Sequence, residues 1–227
     1  MLINDESTPK DMCMYRFLLL VIFFIQGVAA DSKRPNIIIL MADDVGYSDF
    51  GCFGSEIKTP NIDSLAEGGL RFTNFYSENM CWVSRASMLT GSYHKSSLLN
   101  GGIHPAAVTI PEALKKLNYK TYITGKWHLA SKKFPNPLDR GFDHFYGIPG
   151  GASSFFAPAN LTRDRKGIEG EYNKKDYYFT NAISANASHW IEQTPKEQPL
   201  FMYVAYTAAH WPLHAFEKDI EPYKGKY

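Results

Sequence analysis

Residues 35–46 read Pro-Asn-Ile-Ile-Ile-Leu-Met-Ala-Asp-Asp-Val-Gly. Asn36 to Met41 is a continuous apolar run rich in Ile, and it stops at once in Asp43-Asp44-Val45-Gly46. Such a run reads as a strand buried on both faces, the kind that parallel sheets use because helices cover both of their sides. Leu200 to Tyr206 (LFMYVAY) has the same character and ends in Thr207-Ala208-Ala209-His210-Trp211-Pro212. Lys120 to Thr124 (KTYIT) is β-branched and aromatic, and runs into Gly125-Lys126-Trp127-His128. Leu70 to Tyr76 alternates enough to predict a further strand. Helices fall between these runs. Thr59-Pro60 predicts a start with Thr as N-cap, Ile62, Leu65 and Ala66 keep helical spacing, and Gly68-Gly69 predicts the stop. Thr109 with Pro111 predicts a second start, and Asp176 to Gln193 predicts a long helix with Ile183, Ala187, Trp190 and Ile191 on its apolar face. Pro135 to Gly151 reads as a loop, with four Gly and three Pro. Within it, the Asp139-Arg140-Gly141-Phe142-Asp143 turn reads as architectural.

Strands and helices alternate, so the class is α/β with a mostly parallel central sheet flanked by helices. Open α/β sheets bind ligands beyond the carboxyl ends of their strands. Polar residues stand just past three such ends: Asp43 and Asp44, Lys126 and His128, and His210.

The chain is 44% hydrophobic and 15% aromatic over 227 residues, enough for one packed domain. Its 24 basic and 23 acidic residues leave a net charge of +1 with no basic stripe, which argues against nucleic acid as a partner. Phe17 to Ile25 (FLLLVIFFI), preceded by Arg16 and followed by Val28-Ala29-Ala30, predicts a secretory signal peptide over 1–30 and export of residues 31–227. Cys13 lies in that leader, and Cys52 and Cys81 remain. In an exported protein two cysteines suggest a disulfide. Asn160-Leu161-Thr162 and Asn186-Ala187-Ser188 are glycosylation sequons.

The chemistry-bearing stretch is Cys81-Trp82-Val83-Ser84-Arg85-Ala86-Ser87-Met88-Leu89-Thr90-Gly91. Cys81 is expected where a loop enters a helix, with Arg85 one turn along. A nucleophile, a guanidinium and a helix N-terminus together suit a tetrahedral oxyanion such as sulfate or phosphate. Without the other residues this pair would read as a small buried thiol and a surface cation. The adjacent carboxylates Asp43 and Asp44 repel one another unless a cation or several donors stand near, and hard oxygens suit Ca²⁺ or Mg²⁺. The bland alternative for them is a solvated turn. Lys126 and His128, two residues apart in an extended segment, would point the same way. His210 follows a buried strand. His214 is expected outside the reacting centre, and His94, His104, His144 and His189 read as packed or solvated.

The Cys81–Gly91 stretch resembles the sulfatase signature, Cys-x-Pro-Ser-Arg with a following Leu-Thr-Gly. PNIIILMADDVG, NYKTYITGKWH and His210-Trp211-Pro212-Leu213-His214 resemble three further blocks of that family, in the same order. Where the family usually has Pro, less often Ala, this chain has Val83, and Asn118 stands for a leading Gly. The resemblance implies an alkaline-phosphatase-like fold and a sulfuric ester hydrolase acting on a sulfated small molecule or sulfated glycan. It implies that a formylglycine-generating enzyme converts Cys81 to formylglycine, which excludes a Cys52–Cys81 bridge. It implies a divalent metal, Ca²⁺ or Mg²⁺, on Asp43, Asp44 and the modified Cys81. Arg85 and Lys126 would then stabilise the sulfuryl oxygens, His210 the leaving oxygen, and His128 would take a proton. The same fold also serves phosphate and phosphonate ester hydrolases, and a non-catalytic sulfatase-like fragment is the other alternative. The resemblance covers about 34–227. Family members continue into a distal Asp-Asn pair and a Lys, so the chain looks like the N-terminal part of a catalytic domain. That leads to the expectation that Leu200–Tyr206 lacks a neighbouring strand.

Overall fold

The computed structural model describes residues 34–226, so the expected leader over 1–30 lies outside the described residues. Eight strands alternate with helices. They are β1 (Ile37–Met41), α1 (Pro60–Gly68), α2 (Cys81–Thr90), α3 (His94–Ser97), β2 (Leu98–Leu99), β3 (Gly102–Ile103), α4 (Ile110–Lys115) and β4 (Lys120–Lys126). There follow β5 (His144–Ile148), β6 (Thr162–Arg163), β7 (Lys166–Gly167), α5 (Phe179–Gln193), β8 (Leu200–Ala205) and α6 (Glu217–Ile220). The main sheet has the order β1-β8-β4-β5-β6-β7. Its first four strands are parallel, and β6 and β7 add an antiparallel hairpin at the far end. The expected α/β class, with a mainly parallel sheet flanked by helices, is therefore what the chain adopts. No described helix is long and apolar enough to cross a membrane.

β8 and β4 form the centre of the sheet. Every residue of β8 is buried, and Ile123 of β4 is fully so. One face packs Phe201, Tyr203, Trp127, Phe142 and Phe145 against Ala86 and Leu89 of α2. The other packs Met202, Val204, Tyr146 and Ile148 against Phe179 and Ile183 of α5. Each fully buried side chain of this size contributes roughly 1.5–3 kcal/mol relative to exposure, so these two layers fix the sheet. Gly125 is indispensable between them. Its φ is +99°, and a Cβ there would overlap the Ala205 carbonyl of the adjacent β8.

Five expectations are corrected. β8 has neighbours on both sides, β1 and β4. The open edge belongs to β1 instead, whose Ile38 and Leu40 are 47% and 50% exposed while Ile37, Ile39 and Met41 pack on the core. An unbroken apolar run cannot reveal that only alternate residues are covered. Residues 70–76 form no strand; Leu70, Phe72, Phe75 and Tyr76 are all exposed. Alternation creates a strand only where another strand satisfies its backbone, and none lies beside this segment among the described residues. The Pro135–Gly151 stretch holds a 3-10 turn at Pro137–Arg140 and the buried strand β5. The Gly and Pro residues there flank the strand more than they interrupt it. Finally, α5 begins at Phe179, because Asp176 is left-handed (φ 61°) and Tyr178 is the extended N-cap.

The caps of α1 and α4 differ in kind. Thr109 accepts from Glu112 N while Glu112 accepts from Thr109 N, a reciprocal capping box. Glu112 also receives Arg140 Nε at 2.9 Å, and buried Arg140 donates on to the carbonyls of Ile103, His104 and Ala107. The 139–143 turn is thus architectural, as expected. Thr59 caps no backbone N–H of α1; it donates to Asp63 and accepts from Gly51 N.

Candidate active site

The carboxyl ends of β1, β4 and β8 bring the expected residues together. After β1 the chain is fastened back onto the segment after β8, with Tyr206 N donating to Met41 O and Asp43 N donating to Ala208 O. This turns the Asp43 side chain inward, where it is 3% exposed. Lys126, the last residue of β4 and fully buried, donates from Nζ to Asp43 Oδ2 at 2.5 Å. Arg85 approaches the other oxygen, with Nη2 3.4 Å from Asp43 Oδ1. A buried carboxylate between two buried cations is stable only as a complete set, since removing one partner strands a charge in a poorly solvated place.

Arg85 is held by more than charge. It donates from Nη1 to the Lys126 carbonyl and to the Tyr203 hydroxyl, both at 3.0 Å, and Tyr203 donates on to Met41 sulfur at 3.1 Å. Arg85 Nε makes no hydrogen bond among the described residues although it is buried, and neither does the Thr207 hydroxyl just past β8. Lys126 uses one of its three ammonium donors on Asp43. The site therefore contains cationic donors that the described protein leaves unspent.

Cys81 is the first residue of α2, with extended Met80 as N-cap. Its position presents the positive end of that helix. Its sulfur lies 3.4 Å from His128 Nδ1. The extended alignment expected for Lys126 and His128 does not exist. His128 has φ 56°, and its N–H donates to Pro149 O while Trp127 N donates to Ile148 O. The two side chains still reach one site, Lys126 through Asp43 and His128 through Cys81. Burial, then the charges of Lys126 and Arg85, hold the His128 imidazole down to about 4, so the ring is neutral at ordinary pH.

Asp44 and His210 form an outer pair. Asp44 is left-handed (φ 56°) and exposed, and its Oδ2 lies 3.6 Å from His210 Nε2. His210 Nδ1 is 2.6 Å from the Trp211 carbonyl, which assigns the proton to that nitrogen. Asp43 and Asp44, adjacent in sequence, thus face different surroundings: one is buried among cations, the other is open to solvent. Among the described residues no group of three or more His, Cys, Asp and Glu is placed to hold a metal ion. Two carboxylates fall short of the six to eight oxygens that Ca²⁺ takes. Both Asp43 oxygens face Lys126 and Arg85, and Asp44 turns to solvent beside His210, so the residues present do not by themselves form such a shell. Cys52 and Cys81 are both free thiols, so the disulfide suggested by cysteine count does not form.

Two contributors escaped sequence reading. Tyr203 lies mid-strand and signals nothing beyond a buried aromatic, yet its hydroxyl fixes Arg85. Gly151 lies against the His128 ring, where any Cβ would overlap the imidazole. The double Gly at 150–151 was the available hint. His214 stands outside the reacting centre, as expected: Phe155 N donates to its Nδ1 at 3.3 Å, and Tyr178 donates to its carbonyl.

The profile of the sulfatase family matches residues 35–227. An arylsulfatase of Klebsiella aerogenes is 34% identical over 222 residues, covering 88% of this chain and 48% of that protein. The crystal structure of Ps i-CgsB superposes with a TM-score of 0.75 at 32% identity, covering 84% of this chain and 49% of the other. That protein is also known in complex with k-i-k-neocarrahexaose. BT4656, solved in complex with its substrate D-glucosamine-2-N,6-O-disulfate, gives 0.67 at 32% identity over 79% of this chain and 35% of the other. A member of the alkaline phosphatase superfamily from Vibrio parahaemolyticus shares the fold at 20% identity, TM-score 0.51, over 82% of this chain and 43% of its own. The chain spans about half the length of the curated relatives it matches.

Proposed function

The chain belongs to the sulfatase family, and on that premise we propose that it forms the nucleophile-bearing part of a sulfuric ester hydrolase. The observation that carries the reading is the placement of Cys81. It sits at a helix N-terminus, 3.4 Å from His128 and on the same helix as Arg85, which grips Asp43. Converted to formylglycine by its maturation enzyme, position 81 supplies a hydrated aldehyde whose hydroxyl attacks sulfur. Arg85 and Lys126 supply donors for the sulfuryl oxygens, where charge builds as the S–O bond to the leaving group breaks. His210 faces the leaving oxygen with Nε2, the nitrogen turned away from the Trp211 carbonyl, and as the doubly protonated imidazolium gives it the Nε2 proton while keeping the one on Nδ1. His128 accepts a proton at Nδ1 from position 81, which its neutral state allows.

Asp43 and Asp44 contribute part of the oxygen shell of a divalent cation, Ca²⁺ or Mg²⁺, with the other ligands supplied from the portion of the family domain that this chain does not span. When bound, such a cation polarises oxygen and neutralises developing charge. The substrate class is a sulfated glycan or a small sulfate ester, which the ligands named for BT4656 and Ps i-CgsB support. The 1–30 leader directs the product out of the cytosol, with Asp31 as the first residue of the mature chain.

The test is hydrolysis of an aryl sulfate beside the matching aryl phosphate by wild type, Cys81→Ala and Lys126→Ala. Sulfate release is expected from wild type only, and only once the rest of the family domain supplies the other ligands of the cation. Faster phosphate release would favour a phosphoesterase on this fold. Undiminished sulfate release by Cys81→Ala would overturn the nucleophile assignment.

A further inference from the structure

Two sequons, at Asn160 and Asn186, take no part in the site above. We propose that Asn160 is an N-glycan acceptor and Asn186 is not, the donor being an oligosaccharide carried on a lipid pyrophosphate. The proposal rests on the export reading, since only an exported chain meets that donor. In the transfer, Asn160 Nδ2 forms a bond to the anomeric carbon of the first sugar. The bond from that carbon to the pyrophosphate oxygen breaks, the lipid pyrophosphate leaves with the electron pair, and the amide proton passes to a base of the transferase.

The two acceptors sit in opposite surroundings. Asn160 is exposed in a left-handed turn (φ 58°), a conformation Asn tolerates better than most residues. Its side-chain amide makes no hydrogen bond among the described residues. Thr162, the hydroxyl of the sequon, donates to the Asn160 carbonyl at 2.9 Å and so stays beside the acceptor. Leu161 between them is fully buried and anchors the turn. Asn160 precedes the β6–β7 hairpin, which ends the six-stranded order. A glycan is bulky and needs solvent, and there it has solvent without disturbing any contact.

Asn186 is half-buried within α5 and both ends of its amide are used. Oδ1 accepts from Arg163 Nη1 of β6 at 2.8 Å, and Nδ2 donates to Ala182 O at 2.8 Å. Ala187, the centre of that sequon, is 5% exposed and packs in the core beside Ile183. A sugar on Nδ2 would enter the seam between helix and hairpin and sacrifice those bonds.

The experiment is translation of the full chain with endoplasmic-reticulum microsomes, under its own leader and under a grafted cleavable leader, read by glycosidase-sensitive gel shift. With the grafted leader one glycan is expected, lost completely in Asn160→Gln and Thr162→Ala and kept in Asn186→Gln. A shift that survives Asn160→Gln, two glycans on wild type, or none under the grafted leader would each overturn the assignment. A shift under the grafted leader alone would fault the export reading and uphold the acceptor.

Discussion

The carboxyl end of the sheet and its β1 edge treat their side chains in opposite ways. At the carboxyl end, four polar side chains (Asp43, Arg85, Lys126 and Tyr203) are almost wholly buried and tied to one another. At the β1 edge and along residues 70–76, large apolar side chains stand in water: Ile38, Leu40, Leu70, Phe72, Phe75 and Tyr76. Burying charge is costly and exposing apolar surface is costly. A chain that does both has invested in a charged centre and left an apolar flank. The centre should therefore respond to mutation far more strongly than the flank.

The largest effect is expected at Asp43. Asp43→Ala leaves Lys126 and Arg85 buried without their counter-charge and should cost about 3–5 kcal/mol, read by urea unfolding. A loss below about 1 kcal/mol would mean that water reaches this cluster. Tyr203→Phe removes one hydroxyl between Arg85 and Met41. It should cost about 1–3 kcal/mol, because Arg85 is left with an unsatisfied buried donor.

The third expected effect is on pH dependence, at carboxylates remote from the site. Glu112 is held below its usual 4.5: burial alone would raise it, but Arg140 and the Thr109 N–H outweigh that. Asp143 is held below 3.8 in the same way, burial being outweighed by Lys115 and the Thr121 N–H. In this acid range the unfolded chain binds more protons than the native one. Stability should be complete above about pH 5 and fall as pH drops through these carboxylates. Glu112→Gln should flatten that slope in thermal melts, and an unchanged slope would count against the pair.

The smallest effect on stability belongs to the flank. Ile38→Lys or Leu40→Lys should change unfolding free energy by less than about 0.5 kcal/mol. Either should lower self-association in sedimentation, because a charge on an open edge discourages strand pairing. A large destabilisation would show that β1 is not an edge in solution.

What the sequence made legible follows the same division. Sequence position alone leads one to expect Asp43, Lys126, His128 and His210 past strand ends and Cys81 and Arg85 at a helix start, and the structure gathers them there, because short motifs at element ends depend little on distant partners. The mutual arrangement was less legible. Adjacent Asp43 and Asp44 diverge because Asp44 turns left-handed, and nothing in an Asp-Asp pair announces that. Lys126 turns to Asp43 and His128 to Cys81, since His128 leaves the extended conformation. The β1 edge was read as interior because pairing partners, not composition, decide burial of a strand. β5 was hidden by flanking Gly and Pro, although His144–Ile148 carries its own aromatic signal. Tyr203 and Gly151 act by contact alone, and contact is what a linear reading lacks.

The central claim is that position 81 is the precursor of the reacting group, and mass spectrometry of the peptide carrying Cys81 tests it most directly. Val83 occupies the third residue of α2, where a backbone N–H has no intrahelical partner. Val83→Pro should therefore keep the helix and raise the converted fraction. A peptide about 18 Da lighter than the thiol form and inert to alkylation is expected, since replacing CH₂–SH by CHO removes the thiol. An intact, alkylatable Cys81 in a chain that releases sulfate at full rate would contradict it.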